Sequence, residues 1–162
     1  MTVVVSDTSP INYLVLIGHI EVLPAIFGKV LIPIAVHEEL QQEGAPPAVR
    51  SWVSTLPDWV EIRKPTFVDE TMDLGKGEME AIALAEETGA DFLLIDERKG
   101  SQVARDRHLK TAGTLAVLDR SDAFGLLDFE QAVSTLQRTN FRAPKALVST
   151  MIERVRARKK QA

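Results

Sequence analysis

The chain of 162 residues contains no cysteine. Disulfides, zinc–thiolate centres and cysteine nucleophiles are therefore excluded, and the absence fits a reducing cytoplasm. Long apolar runs are missing too; none approaches the roughly 20 residues needed to cross a bilayer. The first residues hold neither a basic n-region nor a long apolar h-region, so a soluble, cytoplasmic protein with no membrane partner is expected. Histidine is scarce, and His19, His37 and His108 lack ligand-pair spacing. No Gly-x-Ser-x-Gly elbow is present. Gly75-Lys76-Gly77 has no P-loop spacing, and Glu80 stands where a dinucleotide fingerprint needs its last glycine. Nor is there an internal repeat, a low-complexity tract or a linker long enough to divide the chain. Residues 1–162 are expected to form one domain, with a helical extension from about residue 128.

What is present is an ordinary globular composition with a net charge of −4. That balance argues against a broad nucleic-acid-coating surface, but not against a site built of acids. The basic run Arg154 to Lys160 reads as a solvated helix end near the negative pole of the helix dipole, with phosphate contact as the sharper alternative. Trp52 and Trp59 lie beside prolines and are expected to pack there rather than stack on bases.

Strand and helix patterns alternate. Val3-Val4-Val5 is a β-branched strand ending at Ser6-Asp7-Thr8-Ser9-Pro10, with the proline suited to opening a helix. Ile11, Leu14 and Ile17 follow at helical spacing, then a short helix from Ile20 to Ile26. Val30 to Ile32 reads as a strand, Ile34 to Gln42 and Ala48 to Leu56 as helices, and Trp59 to Ile62 as a strand at the sheet edge. A buried helix spans Glu78 to Thr88, and Phe92-Leu93-Leu94-Ile95 has the continuous apolar character of a central parallel strand. A helix from Lys99 to Arg107, a short strand at Lys110 to Gly113 and three closing helices complete the pattern. It predicts an α/β fold with helices flanking a mostly parallel sheet.

Asp7 and Asp96 each end an apolar strand, so as parallel neighbours they emerge at the sheet edge where α/β folds bind ligands. Glu78 starts a helix, where the dipole favours its charge, and Glu39 lies on the helix after the second strand. Glu38 is the rival of Glu39, and periodicity does not choose between them. Each acid alone also reads as a cap or solvated turn residue. Together, four carboxylates form an oxygen-only set suited to Mg²⁺ or Mn²⁺ and to phosphodiester hydrolysis.

The ordered set Ser-Asp-Thr-Ser-Pro-Ile, Val-x-x-Glu-Leu, Leu-Gly-Lys-Gly-Glu-Met-Glu-Ala-Ile-Ala-Leu-Ala, Leu-Leu-Ile-Asp-Glu-Arg-Lys-Gly and Gly-Thr-Leu-Ala-Val-Leu resembles a PIN domain. Within that family it is similar to the DUF3368-like group related to VapC toxins of toxin–antitoxin pairs. The resemblance implies a three-layer α/β/α sandwich and an Mg²⁺- or Mn²⁺-dependent endoribonuclease. Its substrate would be single-stranded RNA, cut to leave a 5′-phosphate and a 3′-hydroxyl. It also implies a homodimer held by a small antitoxin. By position, the catalytic and metal-holding acids are Asp7, Glu39, Glu78 and Asp96, supported by Thr8, Ser9, Glu97 and Thr114. One departure stands out: Ser101 occupies a place where an arginine is expected, leaving Arg98, Lys99 or Arg105 to meet phosphate. A PIN fold with weakened chemistry that acts by binding a partner is the alternative. A receiver-type phosphoacceptor ranks last, because its early paired acids and late lysine are missing.

Overall fold

The β-branched and apolar runs pair into one parallel sheet. Among the described residues, 2–161 of this computed structural model, its strands are β1 (Val4–Ser6), β2 (Val30–Pro33), β3 (Val60–Arg63), β4 (Phe92–Leu94) and β5 (Thr111–Ala112). They lie in the order β3-β2-β1-β4-β5, every neighbour parallel. Val4 sits opposite Val30 on one side and Phe92 on the other, and Ser6 opposite Leu94. The ladder runs one residue beyond β1: the Asp7 N–H donates to the Leu94 carbonyl at 2.8 Å. The central strand thereby delivers Asp7 to the carboxyl edge of the sheet, beside the end of β4.

Alternation decides which face each side chain meets. Val5, Leu31 and Leu93 join one buried cluster with Ala81, Ile82, Leu84 and Ala85 of α5 (Lys76–Thr88) and Ala104 of α6 (Arg98–Asp106). Val4, Val30, Ile32 and Leu94 point the other way and are wholly buried. On that side Phe27, at the end of α2 (Val22–Phe27), tilts against Phe92 with ring centroids 5.8 Å apart. Helices cover both faces, so the layers are α/β/α.

The helix starts follow local chemistry. Pro10 is the third residue of α1 (Thr8–Leu16), where a missing N–H leaves no helical bond unmade. Pro33 closes β2 and precedes α3 (Ile34–Gln41), whose Ala35 N–H is satisfied by Glu80 Oε1 at 3.1 Å. Glu80, on α5, is thus a structural cap for a distant helix. A 3₁₀ turn at Glu70–Met72, N-capped by Asp69, has no counterpart in the sequence pattern. Trp52 of α4 (Pro47–Ser54) and Trp59, which follows that helix, pack on each other with centroids 6.0 Å apart.

One compact unit ends at Thr114 and a second begins at Leu115. The second is helical and takes in most of α7 (Thr114–Ala123). In α8 (Phe129–Leu136), Phe129, Ala132, Val133 and Leu136 are buried, and in α9 (Lys145–Lys160), Val148, Met151 and Val155 are buried, both at helical spacing. The basic run is not a freely solvated end. Arg156 pairs with Glu130, Arg158 with Asp119 and Asp122, and Lys159 with Asp122 and Asp128. Asp122 is the buried member and also accepts the Phe129 N–H at 2.7 Å. Burial would raise its pKa, but that amide, Lys159 and Arg158 outweigh it and hold the carboxyl below its usual range. Asp122→Ala leaves the buried Phe129 amide unpaired and removes one of the two carboxylates that each of Arg158 and Lys159 engages. It is expected to lower unfolding free energy by about 2–3 kcal/mol in urea titrations. A change within 0.5 kcal/mol would mean that water replaces the carboxylate freely.

Candidate active site

Asp7 is almost fully buried, at 4% exposure. Burial pushes its carboxyl up to about 7; the Thr8 amide opposes this, while the charges of Glu78, Glu39 and Asp96 push further upward. Those three are the acids singled out from the sequence, and all of them bear electrostatically on Asp7. α1 starts at Thr8, whose hydroxyl donates to Glu39 Oε2 at 2.7 Å. This bond decides between the glutamates of α3: Glu39 is turned inward and half-buried, whereas Glu38 is exposed. Ser9 is half-buried and hydrogen-bonds none of the four acids.

Asp96 lies just past β4. Both of its oxygens are held by Thr114, through the Thr114 N–H and hydroxyl, each at 2.7 Å. Burial raises the Asp96 pKa, and the two Thr114 bonds partly offset that. Thr114 has no exposed surface, so its role is to fix this carboxylate. Tyr13 on α1, which the sequence did not single out, also senses the site: burial, then the Asp96 charge, raises its phenol pKa. It falls outside the apolar stripe of Ile11, Leu14 and Ile17, and nothing in its spacing marks it.

Glu78 is the third residue of α5 and reaches back to the Gly75 N–H at 3.1 Å. Glu97 caps α6, accepting the amides of Lys99 at 3.0 Å and Gly100 at 2.5 Å. The two carboxylates meet. Burial and Glu97 together raise Glu78 to about 7. Burial acts upward on Glu97 as well, but the Gly100 and Lys99 amides hold it low. Glu78 is thus pushed up and Glu97 held down. Glu78 Oε2 is buried with no hydrogen-bond donor among the described residues.

Glycines let these carboxylates approach the backbone. A Cβ on Gly77 would overlap the Glu39 carboxylate. One on Gly113 would stand 2.8 Å from Asp96 Oδ1, and one on Gly100 would stand 2.9 Å from Glu78 Oε2. The cations near Ser101 are only partly free: Lys99 binds the Asp73 carbonyl and carboxylate, and Arg105 reaches Gln102 and Thr111. Arg98, exposed beside Glu97, has no such tie. Ser101 itself is buried, its hydroxyl 3.5 Å from the Ile95 carbonyl.

As placed, no three acids among the described residues close tightly enough to enclose an ion, because each is turned onto its local donor. The donor set nonetheless fits a hard divalent cation. It is all oxygen, it is overloaded with like charge around Asp7, and it contains an orphaned buried oxygen on Glu78.

The fold and the site define a class: an α/β/α protein with an acidic centre at the carboxyl edge of a parallel sheet. The chain belongs to the PIN domain family, DUF3368, which matches residues 3–157. PIN domains are generally nucleases and typically use divalent metals, which makes this a hydrolase-type fold. No curated protein and no solved structure matches the chain. Among the described residues no helix is long and apolar enough to cross a membrane.

Proposed function

We propose that the protein is a divalent-metal-dependent endoribonuclease that hydrolyses single-stranded RNA in the cytoplasm, as the toxin of a toxin–antitoxin pair. The observation that carries this reading is the grouping of Glu39, Glu78 and Asp96 around the buried Asp7. These four would hold Mg²⁺ or Mn²⁺, directly or through water. Such an ion supplies positive charge against the phosphate oxygens and makes water a stronger acid. The chain's own residues do the rest. Thr8 and Thr114 fix Glu39 and Asp96 through the hydroxyl bonds described above. The Gly75 amide holds Glu78 at the start of α5, and the first amides of α6 hold Glu97 beside it. Arg98, exposed at the first turn of α6, would meet the substrate backbone in place of the arginine expected where Ser101 stands.

The family resemblance supports a homodimer and a small antitoxin as partners, and one continuous domain over residues 1–162. The test is cleavage of end-labelled single-stranded RNA with Mn²⁺, with Mg²⁺ and with EDTA, using Asp96→Asn prepared identically as the contamination control. Metal-dependent cutting that is lost in the variant is the expected result. A folded wild-type protein that neither cuts RNA nor binds Mn²⁺ in a calorimeter would favour the partner-binding alternative.

A further inference from the structure

Charge is divided unevenly along the chain. Residues 1–114 carry 18 acidic and 10 basic side chains, a net of −8, whereas residues 115–162 carry 5 acidic and 9 basic, a net of +4. Most acids of the second unit are already engaged by Arg156, Arg158 and Lys159. Arg142 and Lys145 are different: both are exposed, and neither is held by an acid among the described residues. They flank an open cavity of about 460 Å³ whose walls include Leu115, Val133, Leu136 and Val148, with no carboxylate in the lining. Lys145 also opens α9, so the positive pole of that helix adds to the potential at the mouth.

A trough with aliphatic walls and a cationic rim suits a ligand that is apolar and anionic at once. We propose that it docks a short acidic segment of a partner polypeptide. Leucine-sized side chains enter the cavity, and flanking carboxylates pair with Arg142 and Lys145. The volume lies within the usual range for pockets that bury compact apolar groups. RNA suits it poorly, because single-stranded bases need stacking platforms and Phe141 is the sole aromatic residue in the lining. A basic segment would be repelled by the net positive charge of the unit, and a neutral one would leave both rim cations unused. This surface is independent of the acidic centre and of the nuclease reading.

The test is selection of a phage-displayed random dodecapeptide library on the full-length protein, with counter-selection on the Arg142→Glu/Lys145→Glu variant. Both residues are exposed, so the variant is expected to fold, and circular dichroism checks that it does. Recovered peptides should combine Asp or Glu with Leu, Ile or Phe and bind the wild type at least 10-fold more tightly than the variant. Amide shifts on titration should centre on Leu136 and Val148. Leu136→Ala, which keeps Arg142 and Lys145 and whose fold circular dichroism also checks, should weaken the same peptides. The proposal fails if no acidic peptides are enriched, or if charge reversal leaves their affinity unchanged. It fails equally if an oligouridylate shifts the same amides in their stead, or if light scattering shows a wild-type dimer that the charge reversal splits, which would assign the trough to a second copy of the chain.

Discussion

Asp7→Asn is expected to abolish RNA cleavage, by at least about 10³-fold, while making the metal-free protein more stable at alkaline pH. The two effects share one cause. Asp7 is buried at the end of the central strand, its carboxyl raised from 3.8 to about 7 by loss of water and by three neighbouring acids. A carboxyl raised in the folded state favours folding when protonated. Its stabilising effect is complete below its unfolded pKa and is lost as pH rises through about 7. In EDTA, the wild type should therefore lose on the order of 4 kcal/mol between pH 4 and pH 8, set against whatever other groups contribute. The isosteric amide carries no charge, so urea titrations of the variant should lack this component. Mn²⁺ should raise the wild-type midpoint at pH 8 and leave that of the variant nearly unmoved. A variant that still cuts RNA would remove Asp7 from the chemistry; a variant with the wild-type pH slope would remove it as the source of the alkaline loss.

Gly77→Ala should separate stability from activity in the opposite way. Gly77 is the second residue of α5, where alanine favours the helix by up to about 1 kcal/mol. The added Cβ, however, would overlap the Glu39 carboxylate. That group is the far end of a flexible side chain, so it swings aside and leaves the fold intact. Swinging aside breaks the 2.7 Å bond from Thr8 and removes one acid from the centre. Cleavage and Mn²⁺ affinity are expected to fall by about 10–100-fold at an unchanged or slightly higher melting temperature. Gly100→Ala makes an informative contrast, since its Cβ would press on Ile95 Cδ1 as well as on Glu78, both at 2.9 Å, so stability should drop along with activity. Unchanged cleavage by Gly77→Ala would mean that the position of Glu39 is unimportant.

Much of the fold is legible because it is written in local pattern. The β-branched run before Asp7, the apolar run from Phe92 and the helix after Pro33 each emerge within a residue or two of their expected bounds. The edge position of β3 agrees with Pro65, which bounds that strand in the sequence. What stays hidden depends on contacts distant in sequence. Glu38 and Glu39 are adjacent in one helix, and only the Thr8 hydroxyl, 31 residues earlier, tells them apart. Glu80 looks like one more surface acid until α3 presents the Ala35 amide to it. Gly77 stands next to Glu78 in the chain yet makes room for Glu39. The pairing of Arg156, Arg158 and Lys159 likewise requires acids from other helices, so a run of cations gives no sign of it.

The strand order also imposes a timetable on the molecule. β1 precedes the other described strands in the chain, but its second neighbour, β4, begins at Phe92, and the Val3 amide waits 88 residues for the Asp91 carboxylate. Parallel partners that distant meet late, after the intervening helices have formed. Asp96 and its Thr114 clamp arrive later still. A nascent chain thus carries Asp7 and Glu39 without an assembled centre until Thr114 has been made. Any chemistry that needs Asp7 and Asp96 together must wait until the chain has been made as far as Thr114.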